Sequence, residues 1–176
     1  RKLNYTDTAD TGADYLCSIS FDEVDGYAYV QDVYFTDEAM EVTEKETARR
    51  MKLCGVREAA IESNNGGRGF ARNVEKILKG WHWKRTNITW FTQSHNKRAR
   101  ILSHSTNVLE RVIMPEGWEK RWPEFYKHVM AYQRKNKTTE HDDGPDVLTG
   151  VVELMDGEIK IKKKVRTARK EKLGIR

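Results

Sequence analysis

Carboxylates gather at three places that lie far apart in this chain. They are Asp7 with Asp10 and Asp14; Glu62 ahead of Ser63-Asn64-Asn65-Gly66-Gly67; and Asp142-Asp143 with Asp146. Each falls where a strand should end or a helix should begin. If the fold draws them into one cleft, four or more like charges share it and repel strongly unless protons or cations intervene. Strand Asp, strand-end Glu and helix-start Asp, in that order, also meet the needs of phosphodiester hydrolysis on two Mg²⁺ or Mn²⁺ ions about 3.5–4 Å apart. Each cluster has a purely structural reading as well. Asp7, Asp10 and Asp14 suit turns around Gly12, Ser63 to Gly67 suit a helix-capping loop, and Asp143 with Asp146 suit a helix N-terminus.

Holding such acids in place takes rigid elements, and the sequence supplies them. Tyr15/Cys17/Ile19/Phe21 alternate with Leu16/Ser18/Ser20, the mark of a half-buried strand. Asp25-Gly26 offers a tight turn into the aromatic and β-branched run from Tyr27 to Phe35, so the pair reads as an antiparallel hairpin, with residues 2–7 a third strand beside it. Thr43 and Glu46 have capping-box spacing, predicting a helix that ends at Gly55, with Val56 to Glu62 as the next strand. Phe70, Val74, Ile77 and Leu78 define a helix closed by Gly80, and residues 87–91 a further short strand. Two strand–helix units in succession favour parallel strands laid beside the hairpin, hence a mixed sheet. Beyond it, residues 96–106 read as a basic helix, 108–114 as an extended segment and 118–134 as one amphipathic helix. From Asp143 a last helix runs to about Met155, with Asp143, Val147, Val151 and Leu154 on one stripe and Asp146 nearly on the same side.

Length and composition set the bounds. A chain of 176 residues is one ordinary domain, able to bury roughly 70% of its unfolded surface. Cys17 and Cys54 lie in apolar segments without zinc-ligand spacing and read as reduced core thiols. No stretch suggests a membrane span or a signal peptide, so the expectation is a soluble intracellular protein with no membrane partner. Arg1 rather than Met opens the chain and Leu3-Asn4-Tyr5 already reads as strand, which predicts a piece of a longer polypeptide. The net charge is +5, yet residues 157–176 hold nine Lys/Arg against Glu158 and Glu171. Subtracting that +7 leaves residues 1–156 at −2, a mildly acidic body carrying a basic tail that can attract phosphates or simply be solvated.

Three strings carry a family resemblance. Asp7-Thr8-Ala9 with Gly12-Ala13-Asp14-Tyr15, Glu62-Ser63-Asn64-Asn65-Gly66-Gly67, and His141-Asp142-Asp143-Gly144-Pro145-Asp146-Val147-Leu148 resemble the motifs of the nuclease domain of viral large terminase subunits. That family is similar to ribonuclease H in fold, and the match spans nearly all of residues 3–156. The resemblance implies an α/β, ribonuclease H-like fold with a central mixed β-sheet and flanking helices. It also implies a metal-dependent endonuclease that cuts concatemeric double-stranded DNA during bacteriophage genome packaging, in the cytoplasm of an infected host cell. Asp7 matches the first-strand aspartate and Glu62 the second acidic ligand. The closing aspartates fall among Asp142, Asp143 and Asp146, of which Asp143 and Asp146 are the choice for metal binding and catalysis. Thr8 stands where many relatives have Pro, and the Gly144-Pro145 insert is atypical. Partners implied by the family are an ATPase motor domain of the same polypeptide, the portal protein and the small terminase subunit. No GxxxxGK[ST] occurs here, so the motor is not in this chain.

A nuclease also needs cations for the DNA backbone. Arg68 and Arg72 flank the glycine-rich loop, and Lys84, Arg85, Lys97, Arg98 and Arg100 lie between the second and third motifs. Arg68 is the best single candidate, since Gly66, Gly67 and Gly69 let a backbone approach closely. His141 could be a ligand, a proton shuttle or a surface residue, and the five tryptophans read as core. Two alternatives stay open: another ribonuclease H-like nuclease of resolvase or transposase type, and a non-catalytic nucleic-acid-binding or portal-docking module. With no base-reading motif visible, cleavage of little sequence preference is expected.

Overall fold

Asp25 and Gly26 adopt φ 50° and 82°, the left-handed pair that a two-residue hairpin demands, and they join β2 (Leu16–Val24) to β3 (Tyr27–Thr36). The computed structural model describes residues 1–8, 15–64, 67–94, 96–132 and 142–161. β1 (Lys2–Asp7) pairs antiparallel with β2 on one side and parallel with β4 (Glu58–Glu62) on the other. β5 (Asn87–Phe91) extends the sheet parallel to β4, and β6 (Val112–Ile113) closes the far edge parallel to β3. The six-stranded order is β5-β4-β1-β2-β3-β6. This is a mixed sheet with flanking helices, the ribonuclease H-like arrangement expected from the sequence.

Helices cover both faces. On one, α1 (Met40–Leu53) and α2 (Gly67–Gly80) pack Ala48, Met51, Phe70, Val74 and Leu78 against Leu16, Ala59, Ile61 and Ile88. On the other, α6 (Asp143–Asp156) lays Val147, Val151 and Leu154 on Leu3, Tyr5, Cys17, Ile19 and Ala60. Cover on both sides explains why Leu16 to Phe21 are all buried, where alternation alone predicts a half-buried strand. The small polar residues in that run are satisfied inside the sheet: Asn4 Nδ2 donates to Ser18 Oγ at 2.9 Å and to Ser20 Oγ at 3.0 Å. Both cysteines are free, Cys17 buried and Cys54 half-buried. Among the described residues no helix is long and apolar enough to cross a membrane.

Four boundaries differ from the sequence expectation. α1 begins at Met40, so Thr43 lies inside it, 2% exposed, with its hydroxyl donating to the Met40 carbonyl at 3.2 Å. The capping box therefore does not form, and Glu46 instead accepts from Arg49 and Arg50; the C-terminal stop at Gly55, φ 68°, is as expected. α3 (Lys97–Arg111), capped by the Asn96 side chain accepting from the Ala99 amide at 3.1 Å, consumes most of the extended segment and leaves only β6. The amphipathic stretch 118–134 breaks into α4 (Trp118–Arg121) and α5 (Pro123–Ala131), because Pro123 drives Trp122 out of helical geometry, φ −133° and ψ 67°, and restarts the helix. Packing also continues past residue 156: Ile159 is 7% exposed within the core.

α6 can approach β1 closely because Gly150 has no side chain. A Cβ at that position would overlap the Tyr5 ring, which is wholly buried. Gly150→Ala is expected to destabilise the fold by roughly 1–3 kcal/mol, seen as a Tm lower by several degrees in thermal unfolding; an unchanged Tm would show that the ring has room to yield.

Candidate metal centre

Parallel pairing brings the first two acids together. Thr6 is opposite Ile61 in the β1–β4 register, so the next residues, Asp7 and Glu62, leave the sheet side by side on the face that also carries Tyr5 and α6. The first turns of α6 then supply Asp146 from above. Carboxylate oxygens of Asp7, Glu62 and Asp146 lie within 4.8 Å of one another, a spacing that one cation can bridge. Glu62 and Asp146 are 5% and 2% exposed, and Asp7 keeps a partly open surface.

Glu62, Asp146 and Asp143 are held by donors from neighbouring elements. The Tyr5 hydroxyl donates to Glu62 Oε2 at 3.0 Å and Asn64 Nδ2 to Glu62 Oε1 at 2.6 Å. Asn64 is itself clasped to the end of β5, receiving the Gln93 amide at 3.2 Å and donating to the Gln93 carbonyl at 3.2 Å. Ser63 adds bonds to the Phe91 carbonyl from its amide and its hydroxyl. Ser63 and Asn64 thus pin the strand end that bears Glu62. Arg100 Nη1 donates to Asp146 Oδ1 at 2.9 Å. Lys97 Nζ sits 2.7 Å from Asp143 Oδ1, 3.0 Å from Asp142 Oδ1 and 3.9 Å from Asp146 Oδ2.

These surroundings shift Asp7, Glu62 and Asp146 toward their neutral forms. Burial, reinforced by the Glu62 charge, pushes the Asp7 carboxyl well above its usual range. Burial raises Glu62 against the opposing Tyr5 hydrogen bond and the Arg100 charge. Asp146 is pushed up to about 7, by burial first and by Glu62 and Asp142 in addition, with Arg100 and Lys97 pulling the other way. Although burial disfavours its ammonium, Lys97 is held protonated by Asp143 and Asp7. An all-carboxylate donor set of this kind fits a hard divalent ion such as Mg²⁺ or Mn²⁺.

The structure gathers Asp7, Glu62 and Asp146 and puts Asp143 one step out, on Lys97. Asp10, Asp14, Asn65, Gly66 and His141 lie outside the described residues. Among the cations, Arg68 is exposed in the first turn of α2, Arg72 lies over the Trp90 ring at 5.8 Å, and Arg98 follows the α3 N-cap. Two expectations need correction. Lys84 and Arg85 precede β5 at its Asn87 end, which pairs with Glu58 at the start of β4 and so lies at the opposite end of the strands from Glu62. Arg100 is 5% exposed with its guanidinium spent on Asp146 and Glu153, so it braces the acids and does not face a DNA backbone. Tyr5 and Glu153 escaped the sequence reading. Their signals were position: Tyr5 is two residues before Asp7 on the same strand face, and Glu153 lies seven residues after Asp146 on the buried stripe of α6.

Residues 6–114 match the family model described as Terminase Bacteriophage T7, Ribonuclease H-like domain. The fold is similar to the nuclease domain of the large terminase subunit gp2 of bacterial virus Sf6, with TM-score 0.61, 14% identity, and coverage of 88% of this chain and 87% of that one. A mutant form of that domain with manganese and beta-thujaplicinol aligns at 15% identity with the same TM-score of 0.61 and coverage of 88% and 87%. The human cytomegalovirus terminase nuclease domain, Mn soaked and inhibitor bound, aligns with TM-score 0.55 and 12% identity over 88% of this chain and 81% of that one. At these identities the likeness is one of fold. No curated protein matches the sequence.

A pH dependence follows from the crowded acids. Asp146 titrates near 7 when folded against an ordinary 3.8. Between those limits the folded chain binds more protons than the unfolded one, so stability present at low pH is lost as pH rises through the folded value. In chelator, Tm is expected to fall between about pH 4 and pH 7, with a shallower fall in Asp146→Asn. Scanning calorimetry that found Tm climbing alike in both proteins would contradict this.

Proposed function

Since the chain belongs to the family described as Terminase Bacteriophage T7, Ribonuclease H-like domain, we propose that it is the nuclease module of a viral DNA-packaging terminase, a metal-dependent endonuclease that cuts concatemeric double-stranded DNA. The observation that carries this reading is the convergence of Asp7, Glu62 and Asp146 from three separate elements onto a patch 4.8 Å across. Buried like charges are costly to assemble, and a purely structural role for each acid would give no reason to place them together.

In this reading Asp7, Glu62 and Asp146, with Asp143 beside them, hold two Mg²⁺ or Mn²⁺ ions. When bound, the ions supply activation of water and stabilisation of the leaving oxygen. The manganese forms of the Sf6 and cytomegalovirus domains support a divalent ion here. The chain's own residues provide fixed geometry: Tyr5 and Asn64 stop the Glu62 carboxylate from rotating, and Arg100 orients Asp146. Lys97 keeps a positive charge at the rim, next to Asp143. In the same reading Arg68 and Arg72, early in α2, and Arg98, in the first turn of α3, would contact backbone phosphates, giving grip without sequence preference. The basic residues after 157 add attraction of the same sequence-independent kind. Its partners would be the ATPase motor of the same polypeptide, the portal protein and the small terminase subunit.

Supercoiled plasmid incubated with the protein and Mg²⁺ or Mn²⁺ is expected to be nicked and linearised, and not in chelator. Asp7→Asn and Glu62→Gln are each expected to slow this more than ~100-fold while remaining folded by circular dichroism. Cleavage that survives both substitutions, or that needs no divalent ion, would refute the assignment.

A further inference from the structure

Arg100 is a buried cation aimed at a proposed metal ligand, which is a paradox for a site that must attract cations. Its guanidinium is 5% exposed and stands 2.9 Å from Asp146 Oδ1. Taken alone, that contact would cancel the Asp146 charge. The answer lies two helical turns further along α6. Glu153, 4% exposed, receives Arg100 Nε on Oε1 at 2.9 Å and Arg100 Nη2 on Oε2 at 2.8 Å, a two-point clamp on the planar fork. Gln93 Nε2 reaches the same Oε2 at 3.5 Å.

We propose that Glu153 is a positioning residue for the nuclease reaction: by clamping and neutralising Arg100, it keeps that guanidinium on one oxygen of Asp146 and leaves the carboxylate's charge available to the metal. The proposal rests on the nuclease reading above. Two consequences of the clamp support it. Nε and Nη2 are both committed to Glu153, so Arg100 cannot turn to grip both Asp146 oxygens, and Oδ2 stays 3.9 Å from Lys97 Nζ. Charge balance gives the second. Two acids and one Arg leave the buried triad with one net negative charge, whereas Arg100 and Asp146 alone would have none. His104, Glu153 and Glu158 also present ligand atoms within 4.8 Å of one another. Both Glu153 oxygens are already taken by Arg100, so that grouping is better explained as the outer wall of the clamp.

The test uses the full chain, with Mn²⁺ binding followed by electron paramagnetic resonance and, separately, the Mn²⁺ concentration that half-saturates plasmid nicking. Glu153→Gln keeps the shape and removes the charge. It is expected to weaken Mn²⁺ binding ~10–100-fold and to raise the half-saturating concentration in step. Removing the stranded cation as well, in the double variant Glu153→Gln/Arg100→Gln, is expected to recover much of the lost affinity, which repair of a merely structural contact would not do. A folded Glu153→Gln protein with wild-type Mn²⁺ affinity, or a double variant no better than the single one, overturns the proposal. If Glu153→Gln does not fold, Arg100→Lys, which cannot span both acids, takes its place; an unchanged Mn²⁺ requirement there overturns it equally. The controls separate this idea from its premise. Where wild type nicks, Asp7→Asn does not, and Glu153→Gln behaves as wild type, only the role of Glu153 falls. A wild-type chain that neither binds Mn²⁺ nor nicks removes both.

Discussion

Repulsion between carboxylates at the end of the central strands is the constraint around which this molecule is arranged. Asp7, Glu62 and Asp146 sit within 4.8 Å of one another in a largely buried place, where water cannot screen them. Left unsupported, such acids would rotate apart or stay protonated. The fold meets this with geometry and with charge. Parallel β1 and β4 fix Asp7 and Glu62 through their backbones, so separation would cost ladder hydrogen bonds. Tyr5 and Asn64 then bond the two oxygens of Glu62, Arg100 bonds one oxygen of Asp146, and Lys97 holds the neighbouring Asp143.

Packing on the α6 side exists in part to allow this. Tyr5 reaches Glu62 from inside the core only because Gly150 leaves a slot for its ring, and α6 presents Asp146 only because Val147, Val151 and Leu154 anchor it on the sheet. α3 crosses α6 at the one place where Arg100 can join Asp146 to Glu153. The opposite face, covered by α1 and α2, combines an apolar layer with a buried polar cluster in which Asn4 and Thr6 bond Ser18 and Asn4 bonds Ser20.

That division of labour fits a member of a terminase nuclease family. The scaffold shared with the Sf6 and cytomegalovirus domains persists at 12–15% identity, as expected when a fold is specified by pattern and a site by a few side chains. In this chain the acids are braced by contacts such as the Glu153–Arg100 clamp.

The sequence by itself determined the strands and most helices, because alternation, helical spacing and turn chemistry are local. Asp25-Gly26, residues 87–91 and the α6 stripe were legible for that reason, and the acidic motifs with them. Thr43 looked like a cap because its spacing to Glu46 is right, but burial against the sheet drew it into the helix. Pro123 split a stretch whose amphipathic spacing reads as continuous. Only the tertiary structure decided which acids meet, which cations face solvent, and which serve the site from within. Arg100 and Arg98 are two residues apart in a basic run, yet Arg100 is buried on two carboxylates whereas Arg98 is only half-buried. Lys84 and Arg85 follow Glu62 in sequence with a single helix between, yet stand at the other end of the strands in space. The physical reason is that an ion pair's strength depends on distance and burial, and both are set by contacts between residues dozens of positions apart, which no local pattern encodes.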